Sequence, residues 1–188
     1  MKTKLSSEII TDEFIKDAII NTDHEGFPLD YKVLHCLLKK YKLDIKRLLE
    51  IGTHKGTGTK IIKNALGENS TVYSMDLPSY LGHTSWNYSD DVGVYCDLPF
   101  IQLRSDSEKF NYPSIYPLDA FFIDANHTYE SVLVESKEAI KAQAKLIIWH
   151  DTDINNVYRA IIDAFKGNVE YDLFRVSDTR IAYAVRKK

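Results

Sequence analysis

Residues 47–60 read RLLEIGTHKGTGTK, and this stretch decides the fold class. It begins with a mainly apolar run, continues through a turn with three glycines, and passes into the start of a helical pattern. A buried strand, a glycine-rich turn and a helix, in that order, are typical of proteins that hold a nucleotide. Glycine lets the backbone turn tightly, and the first turn of the helix presents unpaired N–H groups to a ligand.

The rest of the chain alternates between strand and helix patterns. Strands are predicted at 46–51, 71–76, 100–104, 118–125 and 145–151, with helical spacing of apolar residues between most of them. The two last patterns, YDLFRV and RIAYAVR, alternate as the strands of a hairpin do. Strands that alternate with helices predict an α/β fold, in which helices cover both faces of a mainly parallel sheet.

Length and patterning predict one main domain with an extension before it. The 188 residues suit a domain of ordinary size. Residues 1–42 are predicted to form a helical extension, with one helix over 7–20 and a second that Asp30 caps. Residues 43–188 form the main domain. The extension could cover a substrate site or pair two chains, so the sequence leaves the oligomeric state open.

Composition limits the partners and the compartment. A net charge of −3 and a pI near 6.1 argue against nucleic acid as a partner. No run approaches the ~20 apolar residues that a membrane span needs, so no membrane partner is expected. The two cysteines have no metal-like or disulfide-like spacing, and no signal peptide pattern opens the chain. We expect a reduced, cytoplasmic protein that acts on a small molecule.

Four acidic residues fall at or just past the ends of predicted strands. They are Glu50, Asp76, Asp124 and Asp151. The carboxyl ends of parallel strands meet at one rim of the sheet, and ligands bind there, near the point where the strand order reverses. The sequence therefore predicts that the binding site lies at this rim.

The glycine turn fits some nucleotide classes better than others. The phosphate loop of nucleoside triphosphatases needs a lysine after its last glycine, but Lys55 precedes Gly56. The spacing of the three glycines also resembles short-chain dehydrogenases, which need a tyrosine with a lysine four residues later. Tyr183 and Lys187 have this spacing but lie in a terminal strand pattern, which disfavours an NAD(P)-dependent oxidoreductase without removing it.

EIGTHKGTGT, residues 50–59, resembles the first motif of class I S-adenosylmethionine-dependent methyltransferases, E/D-x-G-x-x-x-G. The resemblance implies a Rossmann-like fold with a seven-stranded, mainly parallel sheet and a C-terminal antiparallel hairpin. It implies that Glu50 lies near the amino-acid end of the cofactor, and that Gly52, Thr53 and Gly56 frame that end. The chain departs from the family's common glycine at position 54, where it has histidine.

The same resemblance assigns two further segments to the cofactor. Asp76, after the second predicted strand, would accept hydrogen bonds from the two ribose hydroxyls, a role that suits an ionised carboxylate. The segment SDS, residues 105–107, would meet the adenine. In it Asp106 would accept from the exocyclic amine, with Ser107 nearby.

Two segments carry most of the ionisable side chains: IDANHTYESV, residues 123–132, and IIWHDTD, residues 147–153. They resemble a methyltransferase branch with D-x-x-H-x-Y after strand four and H-D after strand five, related to macrolide-type O-methyltransferases. The resemblance implies that Asp124, His150 and Asp151 hold a divalent cation, Mg²⁺ or Mn²⁺. It also implies that His127 is the general base, that Asp124 and Asp151 belong to the catalytic group, and that Asp124 contacts the cofactor.

These residues suit methyl transfer to a hydroxyl. A hydroxyl is a poor nucleophile until it loses its proton, which a histidine can accept near neutral pH and a bound cation makes more acidic. We therefore expect O-methylation of a small molecule, with or without a metal. A metal-dependent hydrolase and a non-catalytic nucleotide-binding module stay as alternatives. Residues 77–99, with Tyr80 and Trp86, are expected to form a lid or an ordinary helix.

Overall fold

The computed structural model describes residues 1–18, 27–78 and 91–187. Tyr80 and Trp86, in the segment that was expected to form a lid or an ordinary helix, lie outside the described residues. The described strands are β1 (Lys2–Lys4), β2 (Arg47–Ile51), β3 (Thr71–Asp76), β4 (Ile101–Arg104), β5 (Ala120–Ile123), β6 (Leu146–Trp149), β7 (Tyr171–Val176) and β8 (Ala182–Arg186). The α-helices are α1 (Asp12–Ile15), α2 (Pro28–Tyr41), α3 (Thr57–Leu66), α4 (Tyr129–Lys141) and α5 (Asn155–Ala164).

The strands of the described residues form one eight-stranded sheet in the order β1-β7-β8-β6-β5-β2-β3-β4. Strands β4, β3, β2, β5 and β6 run parallel, and β8 is antiparallel to both β6 and β7. The chain leaves β2 toward β3 on one side and returns to β5 on the other. The carboxyl ends of β2 and β5 therefore form the switch point at which such sheets bind ligands.

The α/β prediction with a mainly parallel sheet and a C-terminal hairpin is confirmed, and the sheet has one more strand than predicted. The additional strand, β1, has the polar sequence KTK, which gives no apolar alternation to detect. It pairs with β7 at the edge of the sheet, where Lys2 Nζ forms an ion pair with Asp172 at 2.9 Å. A strand at the edge of a sheet pairs with one neighbour only, and its side chains can stay polar.

The N-terminal helices also differ from the predictions. Of the helix expected over 7–20, the described residues, which end at 18, form a 3₁₀ turn, Ser6–Glu8, and the four residues of α1. Asp30 is not the cap of α2, because the helix begins at Pro28 and Phe27 is the cap residue. Asp30 instead lies in the first turn, and its side chain is buried. The predicted division into residues 1–42 and 43–188 stays a prediction.

Helices cover both faces of the sheet and divide the core into two clusters. Apolar side chains of α2 and α3 pack on one face, and those of α4 and α5 pack on the other. Strands β5 and β6 are buried along their whole length, which explains their unbroken apolar sequences AFFI and LIIW. Among the described residues, no helix combines the length and apolarity that crossing a lipid bilayer requires.

Candidate active site

The glycine turn joins the ends of β2 and β5. Gly52 has φ +105°, and its N–H donates to the carbonyl of Met75 at 2.8 Å. A Cβ at this position would lie 2.0 Å from the carbonyl oxygen of Asp124, so a larger residue cannot fit. His54, where the family often has glycine, also has a left-handed backbone, with φ +44°. Its N–H donates to Asp76 Oδ2 at 2.7 Å, which ties the turn to the end of β3.

The last part of the predicted lid lies against the same turn. Gly93 donates its N–H to the carbonyl of His54 at 2.8 Å, and Tyr95 donates to the carbonyl of Lys55 at 2.7 Å. Gly56 has φ +91°, and a Cβ on it would lie 2.8 Å from the Cα of Gly93. This close approach of two backbones explains why the turn has a second glycine here.

A buried polar network supports the turn from below. Glu50 is fully buried, and its Oε2 accepts hydrogen bonds from Thr59 and Ser74, each at 2.5 Å. Burial raises the pKa of Glu50 to about 8, although these two hydrogen bonds act in the opposite direction. Thr53 Oγ1 accepts from Gln102 Nε2 at 2.9 Å in the same network. Direct contact of Glu50 or Thr53 with a cofactor stays a prediction.

The two other predicted cofactor segments lie side by side. Ser105 donates its N–H to the carbonyl of Asp76 at 2.9 Å, which brings residues 105–107 to the end of β3. The carboxylate of Asp106 accepts from the N–H of Glu108 at 3.0 Å and from Lys109 Nζ at 2.7 Å. Asp106 is thus engaged within its own loop, and its contact with an adenine stays a prediction, as does that of Asp76 with a ribose.

The predicted base and one predicted catalytic carboxylate form a close pair. His127 Nε2 lies 2.7 Å from Asp151 Oδ2, with 42% of the His127 side chain and 8% of the Asp151 side chain exposed. The hydrogen bond to Asp151 raises the pKa of His127 above its ordinary value, although burial opposes it. Burial would raise the pKa of Asp151, but its hydrogen bonds to His127 and His150 lower it well below the ordinary range.

His150 lies behind this pair, between two carboxylates. Its Nδ1 is 3.1 Å from Asp124 Oδ1, and its Nε2 is 3.0 Å from Asp30 Oδ2. Burial alone would lower the pKa of His150, but the charges and hydrogen bonds of Asp124, Asp151 and Asp30 raise it to about 12. In this arrangement His150 clamps two carboxylates, and its role as a metal ligand stays a prediction.

A different triplet has the spacing of metal ligands. One ligand atom each from Asp124, His127 and Asp151 lie within 4.8 Å of one another. Two carboxylates and an imidazole fit a divalent cation such as Mn²⁺, and the set shares Asp124 and Asp151 with the predicted one. Both histidines lie beside these carboxylates, but His150 is buried behind them, whereas 42% of the His127 side chain is exposed.

Sequence reasoning missed the place of Arg180 and Asp30 in the site. Arg180, between β7 and β8, places Nη1 2.6 Å from Asp151 Oδ1 and Nε 3.4 Å from Asp30 Oδ2. Its backbone N–H donates to Asp30 Oδ1 at 3.2 Å, and its guanidinium lies 3.4 Å from the ring centre of Phe27. One signal was available: Asp30 falls on the apolar face of α2, and a buried acid needs a partner.

Asp151 itself has an uncommon backbone. Its φ is +55°, a left-handed conformation that side chains with a Cβ rarely adopt. Its carbonyl accepts from the N–H of Ile154 at 2.9 Å, and the N–H of Thr152 donates to the carbonyl of Arg180 at 3.0 Å. Such conformations persist where the surroundings fix them, and they cluster at functional sites. Tyr129, by contrast, points away and donates to Asp163 at 2.9 Å.

The match to a known family covers these elements. Residues 49–152 match the family described as a methyltransferase domain, and this span is more than half of the 188-residue chain. The chain belongs to this methyltransferase domain family. The predicted resemblance to methyltransferases is therefore confirmed. Arg180 and Asp30 lie outside the matched span. No curated protein sequence shows significant similarity to this methyltransferase.

Solved structures share the fold of this methyltransferase at low sequence identity. The Podospora anserina methyltransferase PaMTH1, bound to S-adenosylhomocysteine, has a TM-score of 0.66 and 11% identity over 97% of this chain and 88% of that one. An O-methyltransferase from Bacillus cereus with the same ligand has a TM-score of 0.62 and 16% identity, over 97% of this chain and 100% of that one. The methyltransferase MycE of the mycinamycin pathway was solved with Mg, S-adenosylhomocysteine and mycinamycin VI. It has a TM-score of 0.54 and 14% identity, over 81% of this chain and 48% of that one. At these identities the likeness establishes the fold.

Proposed function

We propose that this methyltransferase transfers a methyl group from S-adenosylmethionine to the hydroxyl of a small molecule. The observation that carries the proposal is the His127–Asp151 pair, 2.7 Å apart at the rim that the glycine turn shares. The family match supports methyl transfer, and the structures of O-methyltransferases with bound S-adenosylhomocysteine support the cofactor and an oxygen acceptor. Gly52 connects the glycine turn to the segment after β5, since its Cα lies against the carbonyl of Asp124.

The residues of the pair have distinct roles in this proposal. His127 accepts the proton of the acceptor hydroxyl while the hydroxyl oxygen attacks the methyl carbon. Because Nε2 faces Asp151, Nδ1 is the nitrogen that receives the proton. Asp151 orients the ring and stabilises the imidazolium that forms. When bound, S-adenosylmethionine supplies a methyl group already activated on a sulfonium, so the protein has mainly to align the acceptor and remove its proton.

A cation-assisted version of the same reaction is the second candidate. The triplet Asp124, His127 and Asp151 favours it, since the spacing and donor types fit a divalent ion. A cation held there would lower the pKa of the acceptor hydroxyl, and His127 would then be a ligand and not the base. The two versions of the reaction differ in one measurable way: the cation version requires an added metal, and the base version does not.

Ligand binding tests the proposal without knowledge of the acceptor. Calorimetric titration with S-adenosylhomocysteine should show one site, and NAD and NADP should show none. A ligand at ~100 times its dissociation constant stabilises the folded state by about 2.7 kcal/mol, so thermal unfolding offers an independent readout. Binding of NAD in place of the sulfur ligand would favour the oxidoreductase, and no nucleotide binding would contradict the proposal.

Turnover then separates an enzyme from a binding module. Methyl-labelled S-adenosylmethionine is incubated with a panel of hydroxyl compounds, with and without Mg²⁺ or Mn²⁺, and label transfer is measured. We expect transfer that His127→Ala abolishes while affinity for S-adenosylhomocysteine is kept. Transfer that needs the metal selects the cation version. Hydrolysis of ester or phosphate substrates that needs the metal but no cofactor would select the hydrolase.

A further inference from the structure

A cleft of about 440 Å³ lies between the start of α2 and the turn that joins β7 to β8. Its volume is in the range of small-molecule sites. Arg180 lines the cleft, and its Nη1 lies 2.6 Å from Oδ1 of Asp151, whose Oδ2 lies 2.7 Å from His127 Nε2. One guanidinium and one carboxylate therefore separate the cleft from the proposed base, a distance that a small molecule can span.

One wall of the cleft is apolar. It consists of Phe27, Pro28 and Leu29, with 43% of Phe27 and 36% of Leu29 exposed. One face of the Phe27 ring is covered by the guanidinium of Arg180, which lies 3.4 Å from the ring centre. Covering the remaining apolar surface would be favourable, because removing such surface from water stabilises a complex. This wall suits the apolar body of a ligand.

The opposite wall offers hydrogen-bond acceptors. Ser177 Oγ and Thr179 Oγ1 donate to backbone carbonyls at 3.3 Å and 3.1 Å. Because their protons are engaged in this way, these hydroxyls present lone pairs to the cleft. Asp178, between them, accepts from the hydroxyl and the backbone N–H of Ser6, and the first of these bonds lowers the pKa of Asp178. The wall therefore carries a carboxylate that is charged near neutral pH.

The charge around the cleft is mainly negative. Asp30 and Asp178 line it, and Arg180 is the cation among its described lining residues. Arg180 contacts Asp30 at 3.4 Å and Asp151 at 2.6 Å, so two carboxylates already compensate its charge. His150 is a further cation, but it lies buried between carboxylates. An ammonium group would be attracted to this cleft, whereas a carboxylate would be repelled.

We propose that this cleft binds the methyl acceptor and selects a hydroxylated amine. The inference rests on the proposed function and names the substrate class of the same site. The apolar body of the acceptor packs against Phe27, and its ammonium group donates to the wall that contains Asp178. The hydroxyl then reaches past Arg180 to His127. Apolar contact holds acceptors of either charge, and Asp178 discriminates between them.

Two phenols with the same two-carbon arm test this selection: tyramine ends in an ammonium group, and phloretate ends in a carboxylate. Their affinities are measured by ligand-observed NMR near neutral pH and at low salt, with and without S-adenosylhomocysteine. The wild-type protein should bind tyramine about fivefold more tightly or better, the upper end of a single exposed charge contact. Phe27→Ala should weaken the binding of both phenols and keep their ratio.

Asp178→Asn tests the charge itself. It keeps an oxygen that accepts from Ser6, and it should reduce the preference for tyramine by about threefold. Asp172→Asn removes the same charge from β7 outside the cleft, so it is the matched control and should keep the preference. If Asp178→Asn fails to fold, Ser177→Lys adds a cation at an exposed position of the same wall and should abolish the preference.

Several results would overturn the proposal. They are equal binding of the two phenols by the wild type, tighter binding of phloretate, and no measurable binding of either. A preference that Asp178→Asn or Ser177→Lys leaves unchanged would overturn it as well, because the ammonium group would then lie elsewhere. Failure to bind S-adenosylhomocysteine contradicts the proposed function separately, since the phenols are also titrated without it.

Discussion

The two sides of the rim hold their carboxyl groups in different ways. On the side of the glycine turn, Glu50 and Asp76 accept hydrogen bonds from hydroxyl and backbone N–H groups, which are neutral. On the other side, Asp151 is contacted by Arg180, by His127 and by the strongly basic His150. Burial opposes the charged form of both Glu50 and Asp151, and at Asp151 the neighbouring cations compensate for it.

The two sides therefore differ in charge near neutral pH. Neutral donors leave Glu50 with a raised pKa, so the support of the turn is close to uncharged near neutral pH. Cations lower the pKa of Asp151, which keeps a fixed negative charge beside His127. A neutral scaffold suits the binding of a cofactor, whereas a fixed charge suits a residue that takes up a proton.

Gly52→Ala should break both sides at once, because Gly52 is where they meet. The added Cβ would lie 2.0 Å from the carbonyl oxygen of Asp124, and φ is +105°. We expect loss of the cooperative unfolding transition and of S-adenosylhomocysteine binding. Gly167→Ala is the control: its φ is +77° but nothing lies within 4 Å, so it should cost only about 1–2 kcal/mol of backbone strain. Equal effects in circular dichroism melts would mean that the close approach at Gly52 is unimportant.

Asp151→Asn should impair the charged side alone. The fixed charge beside His127 is lost, and we expect kcat to fall by about 10³-fold, in the range of general-base effects. The base must be neutral, so the wild-type rate rises as pH passes the raised pKa of His127. The variant loses the largest cause of that raised pKa, so its limb should move toward pH 6.5. A pH–rate profile with an unmoved limb would show that another group is titrating.

Glu50→Gln tests the neutral side through the pH dependence of stability. The folded-state pKa of about 8 lies above the ordinary 4.5, so wild-type stability is lost as pH rises from 4.5 to 8. The variant lacks this loss. Its free energy of unfolding relative to wild type should increase by on the order of 3 kcal/mol between pH 5 and pH 8. Parallel stability curves in urea melts across this range would mean that Glu50 is ionised in the folded protein.

Arg180→Met should weaken the charged side least severely in numerical terms. It removes the guanidinium that contacts both Asp30 and Asp151, although His150 still contacts both. Removing one partner of a buried ion pair costs ~3–5 kcal/mol. A quarter of the Arg180 side chain is exposed, so we expect a loss of about 2 kcal/mol. Arg186→Met, in the same hairpin as Arg180, is the control. It loses one hydrogen bond to Gln143 and should change the free energy of unfolding by ~0.5 kcal/mol.

The contrast also explains how far the sequence could predict the structure. Strand ends and the acids after them were predictable, because an apolar run followed by Asp76, Asp124 or Asp151 marks both the strand and its rim. The contacts of Asp30 and Arg180 were not, because they join residues 150 positions apart and no local pattern marks them. The burial of Glu135 was not predictable either, since it lies in VESKEA, where a buried acid looks like its exposed neighbours.

The pairing of Asp30 with Arg180 has a consequence for the order of assembly during translation. The ribosome makes the glycine turn, Asp124 and Asp151 well before the hairpin that contains Arg180. Until that hairpin leaves the exit tunnel, Asp30 and Asp151 lack their contacts with Arg180, and the sheet lacks β7 and β8. The contacts around Asp151 are therefore completed among the last steps of synthesis, and a chain stopped after residue 152, where the matched domain ends, would contain the family motif without Arg180 beside Asp151.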